Sequence, residues 1–166
     1  MNDLTLLPQN ELDVLVRDID RRAVALTTPQ GQKKAADMML EVLHLIEAAG
    51  YVPKTDLADM AMVWTMAMAD QIAVYQFKGI REAVMEFIRT DSREYKQFPS
   101  AGQIIELCKQ MGVNPRAELG RRRQAEFERM VDEETKREMD ALPEEYKKAC
   151  VERLKSLWSK NENRMW

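Results

Sequence analysis

The chain has 166 residues, a net charge of −3, 45% hydrophobic and 32% charged residues, and only six glycines and six prolines. That length suits one domain with an appendage or two very small domains. The charge excludes a strong overall attraction for nucleic acid, and no apolar run is long enough to span a membrane.

No secretory signal pattern opens the sequence. Cys108 and Cys150 lie far apart, without partners at metal-ligand spacing, so they are expected to be reduced thiols in a cytosolic protein. The abundance of Ala, Leu, Met, Glu, Lys and Arg favours helices throughout. Asn10 is the expected cap of a first helix, with Leu12, Leu15, Val16, Ile19, Ala23 and Leu26 at helical spacing. TTPQGQ at 27–32 breaks it. A second helix runs from about 32 to 49, with Met39, Val42, Leu43 and Ile46 inside and Gly50 at its end. YVPKTD connects to a third helix over about 56–74, with Thr55 as its expected cap and Asp56 and Asp59 suiting the dipole of its first turn. A fourth runs over about 77–89. In the fifth, Ser100 and Gln103 have capping-box spacing, Ile104, Ile105, Leu107, Cys108 and Met111 form the apolar stripe, and Gly112 is the C′ residue.

MAMVWTMAM at 60–68 alternates as a strand would, but the surrounding length and alanine content favour a helix. On that helix Met60, Trp64 and Met68 share one side, and Met62 and Met66 lie about 200° away. Either the helix is central to the core and partly covered by the first helix, or Met62 and Met66 form a docking face for another protein.

Beyond residue 113 the chain changes character. It carries 13 Lys/Arg and 12 Asp/Glu in its last 53 residues, as solvated helices and coiled coils do. Asn114 and Pro115 start a helix that reaches about Ala141, and Pro143 interrupts it. The last helix sets Tyr146, Ala149, Cys150, Leu154, Leu157 and Trp158 on one face. The expected fold is therefore all-α: an N-terminal helix and linker (1–31), a compact bundle (32–112) of four to five helices, and a charged helical arm (113–166).

Catalytic patterns are missing. His44 is the only histidine, no G-x-x-x-x-G-K-[ST] and no G-x-G-x-x-G occurs, and the carboxylates interleave with Lys and Arg. No enzymatic activity, metal or cofactor is expected. Arg121, Arg122 and Arg123 beside Phe127 form a candidate phosphate-backbone contact, but DEETKREMD follows at once and balances the charge.

The order of features over 33–112 carries a resemblance. One helix ends in AAGYVP, and the next has Trp64 at its centre. FKGIREAVMEFIRTDSREYKQFPSAGQIIEL then supplies G-I-x-x-A-V-x-x-F-I, a polar loop and F-P-S-x-x-x-x-I. This resembles the helical N-terminal domain of phage replicative-helicase loaders, also called helicase inhibitors, of phages of Gram-positive bacteria. FPSAGQIIELC is also similar to F-P-S-P-A-E-F of lambdoid replication protein P. The resemblance covers about half the chain. It implies binding to the hexameric replicative DNA helicase in the cytoplasm of a bacterial host cell, delivery to an origin or a phage initiator protein, and no ATPase of its own. Trp64, Ala83, Ile88, Phe98 and Pro99 would be framework positions. In the Gram-positive phage proteins the segment after this domain engages the helicase. Here that segment is longer and more helical, and the helix at 11–26 is extra. On this reading Tyr146, Leu154, Leu157 and Trp158 are the partner-binding set, with Met62 and Met66 as a second candidate face. The alternatives are a nucleic-acid-binding replication or regulatory protein acting through Arg121–Arg123, and a helical assembly protein.

Overall fold

The computed structural model describes residues 4–162, with side chains described for 4–156. Seven α-helices follow a short 3-10 turn at Leu4–Leu6: α1 Gln9–Ala25, α2 Pro29–Ala48, α3 Leu57–Ala67, α4 Ala69–Thr90, α5 Ala101–Met111, α6 Pro115–Ala141 and α7 Glu144–Glu162. No strand occurs among the described residues, only an isolated parallel bridge between Val52 and Gln97. The fold is all-α, as the sequence predicts, and 60–68 is helical up to the turn at Met68.

The chain divides into two compact units, Met1–Leu119 and Gly120–Trp166. This differs from the expected 1–31, 32–112 and 113–166 in two respects. The N-terminal helix is part of the first unit, because α1 packs on α4 and buries Leu12 and Ile19. The division also falls inside α6, because its first turn buries Pro115, Glu118 and Leu119.

Helix starts correct the sequence reading in three places. Asn10 lies inside α1; Pro8, extended at φ −57 and ψ 150, precedes the helix, and its carbonyl accepts from Glu11 and Leu12 (both 3.1 Å). TTPQGQ both ends one helix and starts the next, since the Thr28 hydroxyl accepts from the Gly31 amide (3.1 Å) with Pro29 at the first helical position. Asp56, not Thr55, caps α3, its Oδ1 accepting from Ala58 (2.8 Å) and Asp59 (3.4 Å). The capping box at Ser100 forms as expected: the Ser100 amide donates to Gln103 Oε1 (2.9 Å), and the Gln103 amide donates to Ser100 Oγ (3.3 Å). Asn114 also caps α6, accepting from Arg116 N at 3.0 Å.

The segment expected as helices over 56–74 and 77–89 breaks at two places without glycine or proline, the first inside the expected third helix and the second at the expected gap between the two. The first is Met68, between α3 and α4. The second is Gln76, inside α4, where φ is 58 and ψ 176. α4 is thus a pair of segments, 69–75 and 77–90.

The core of the first unit joins Met39, Val42, Leu43 and Ile46 of α2 with Trp64, Ile72, Ile80, Val84, Phe87 and Ile104. Trp64 is 5% exposed and meets Phe98 edge-on, with ring centroids 6.3 Å apart. Gly50 ends α2 in the left-handed region (φ 92), as a helix-terminating glycine should. Gly112 has a different reason for being glycine. Its φ is −112, and a Cβ there would lie 2.6 Å from Cε1 of Tyr75. Close approach of an aromatic ring, rather than a left-handed cap, selects glycine at this end.

Candidate docking surfaces

α3 is apolar on nearly every side, and the core covers only one of them. Ala61, Trp64 and Met68 are buried, whereas Met62 is 62% and Met66 75% exposed, with Val63 exposed beside them. α1 packs on α4 and leaves the Met62–Met66 side uncovered. These two methionines form one wall of an open groove of about 650 Å³ between α2 and α3. Small side chains lower its floor, namely Ala36 from α2 and Ala58, Ala61 and Ala69 from α3 and the start of α4. The Thr65 hydroxyl in the floor donates to the Ala61 carbonyl (2.7 Å), so the floor presents no unsatisfied polar group there. Lys33 and Asp37 supply charges of opposite sign along α2. A groove of this kind takes apolar side chains from another helix, with small residues permitting close approach and thioethers adapting to shape. The sequence showed its methionines through their spacing. The α2 half was missed, because Lys33 and Asp37 alternate there with the apolar Ala36 and Leu40.

The polar loop 91–97 is built into the first unit by contacts that sequence reading did not foresee. Asp91 accepts from the Tyr51 hydroxyl (2.9 Å) and from the Arg93 guanidinium (2.7 and 2.9 Å). Lys96 Nζ donates to the carbonyl of Ala49 at the end of α2 (2.8 Å) and lies 5.3 Å from the Tyr51 ring centre. A cation there complements the negative end of the helix dipole. The loop is therefore scaffolding that fixes the Phe98–Pro99 step. The partners stand 40 and 47 residues apart, so no local pattern announces them.

The second unit carries the other predicted surfaces. Tyr146 and Leu154 are each 65% exposed on α7, and eight residues of helix separate them by about 80° around the axis. Val151 and Cys150 are also exposed. The predicted partner residues Leu157 and Trp158 lie outside the described side chains. Arg121 and Arg123 are exposed on α6 and Arg122 is half-buried; Arg121 and Arg122 already have interaction partners within the structure. Tyr146 and Leu154 thus share one helix, whereas Met62 and Met66 belong to the other unit.

No chemistry-bearing cluster accompanies these faces among the described residues. His44 is exposed beside Glu47, with Nδ1 and Oε2 3.2 Å apart. No three His, Cys, Asp or Glu side chains converge in a metal-binding arrangement there. Cys108 is buried, and burial pushes its thiol up to about 11. No helix among the described residues is long and apolar enough to cross a membrane. The chain matches no protein-family model, no curated protein and no solved structure.

Proposed function

We propose that the protein is a non-enzymatic DNA-replication adaptor that binds the hexameric replicative helicase and loads or inhibits it. The observation that carries this reading is the resembling segment itself. Of its framework positions, Trp64, Ala83 and Pro99 are buried, and the half-buried Phe98 and Ile88 pack against the same core, with Trp64 edge-on to Phe98. Such a unit supplies a rigid base, and the apolar surface left outside it is the material for partner binding. Among the described residues, such surface includes the α7 face with Tyr146 and Leu154 and the α2–α3 groove with Met62 and Met66. The α7 face is assigned to the helicase. An isolated amphipathic helix cannot bury its own stripe, and aromatic and aliphatic anchors dominate helix-in-groove recognition.

The test mixes the full chain with purified hexameric helicases and measures complex mass. Leu154→Asp is expected to weaken the complex by about 2 kcal/mol, roughly 30-fold, without changing the unfolding of the first unit. Met62→Asp with Met66→Asp should leave that affinity within about threefold. Loss of binding in the groove variant, with α7 variants unaffected, would move the helicase contact to α3. Absence of any complex at micromolar concentrations would remove the adaptor reading.

A further inference from the structure

Residues 69–90 include no proline, and their one glycine, Gly79, lies beyond the break. Gln76 itself is a good helix former. Nothing local in this stretch requires an interruption, yet Gln76 stands at φ 58 and ψ 176, the only non-glycine residue with positive φ among those described. That corner of backbone space is almost restricted to glycine, and other residues persist in it only where surrounding contacts impose it. Those contacts can be named. Arg22 of α1 donates from Nε to the carbonyl of Ala73 at 2.7 Å. In an uninterrupted helix that carbonyl would accept from the amide of Phe77, four residues on. At a helix end it is among the carbonyls left without an intrahelical donor. Arg22 therefore satisfies a group that only the kinked chain offers. Next to the break, Tyr75 at the end of segment 69–75 sits in a slot made by two glycines, its Cβ against Gly79 and its ring against Gly112. A Cβ at Gly79 would be 2.8 Å from Cβ of Tyr75, and one at Gly112 would be 2.6 Å from its Cε1.

We propose that α4 is a two-state element: its kink at Gln76 is clamped by Arg22, and release of α1 lets 69–90 straighten into one continuous helix. Straightening restores the interrupted hydrogen-bond ladder and relieves the Gln76 backbone. It gives up the Arg22 contact and withdraws Tyr75 from its slot. The balance is thus set by how firmly α1 holds, through Leu12, Ile19 and Arg22. The clamp also adjoins the α2–α3 groove. Leu26 and Thr27, immediately after α1, and Ala69, the first residue of α4, all line it. The element that holds the hinge thereby leads directly into one end of the groove, and straightening alters the groove's shape.

The experiment places spin labels at Asp70→Cys and Arg89→Cys in the full chain with Cys150→Ser, leaving the buried Cys108 in place. In a continuous helix these positions are about 28 Å apart along the axis. The parent is expected to show mainly a shorter separation. Arg22→Ala should transfer a measurable fraction to the longer one. Adding Gln76→Gly should reverse that transfer, because glycine accepts the kinked backbone and disfavours the straight helix. Gln76→Gly alone should raise the thermal midpoint by about 2 °C or more. A distance distribution in Arg22→Ala identical to that of the parent would overturn the switch, as would a long component that grows with protein concentration, which would mean exchange between copies. If Arg22→Ala does not fold, Gln76→Gly still decides: a lowered midpoint would show that the backbone there is not strained.

Discussion

Asp91 sits where the end of α4 meets the loop toward α5, and its carboxylate takes hydrogen bonds from both Tyr51 and Arg93. The Arg93 hydrogen bond holds its carboxyl well below the ordinary carboxylate range, against the opposing effect of burial, and Tyr51 adds to the depression. The folded value is lower than the unfolded value of about 4. Its contribution is therefore present above pH 4 and is lost as pH falls through the strongly acidic range. Asp91→Asn should lower stability at pH 7 and flatten the acid limb of the denaturation profile below pH 4. An unchanged acid limb would show that the pair adds nothing. Trp64 is the other residue on which the first unit leans. Trp64→Ala should cost about 3–5 kcal/mol in chemical denaturation, and a loss under about 1 kcal/mol would contradict its burial. Cysteine chemistry offers an independent check, since Cys108 is buried and Cys150 exposed. One thiol per chain should react quickly with a disulfide reagent in the native state, and two after unfolding.

At the level of elements, legibility followed how local the determining interaction is. The Ser100–Gln103 box spans three residues and needs no tertiary information, so it was readable in advance. Ser100→Ala should destabilise the first unit by about 1 kcal/mol, measurable by denaturant titration. Asp56 and Thr55 are adjacent residues that can both cap a helix, Asp the better of the two. The backbone path, φ −55 and ψ 136 at Asp56, chose between them. The helix boundary between 74 and 77 was legible, but the positive-φ backbone of Gln76 was not, since the contacts around it come from Arg22, Gly79 and Gly112, up to 54 residues from Gln76 in the chain, and no local pattern marked the break at Met68. The same holds for the groove. Its methionine wall has a visible period, but its alanine floor is recognisable only once α2 and α3 are packed together.

For the whole molecule, the boundary between units makes a sharper prediction than the Asn114 junction alone. A chain ending at Gly112 loses the buried Pro115, Glu118 and Leu119, together with the Arg116–Asp20 ion pair (2.7 Å). A chain ending at Leu119 retains them. The longer truncation should therefore melt close to the full-length first unit, and the shorter one several degrees lower. Equal midpoints would return the boundary to residue 113. The open groove also has a consequence for oxidative chemistry. Met62 and Met66 present their thioethers to solvent, whereas Met39 and Met68 are fully buried. Dilute peroxide should convert the first pair to sulfoxides well before the second, as peptide masses would show. Each sulfoxide puts a polar, chiral oxygen on a wall that was apolar. If the groove is the docking face proposed for it, its affinity for an apolar partner would weaken under oxidative stress and recover when methionine sulfoxide reductase removed the oxygen.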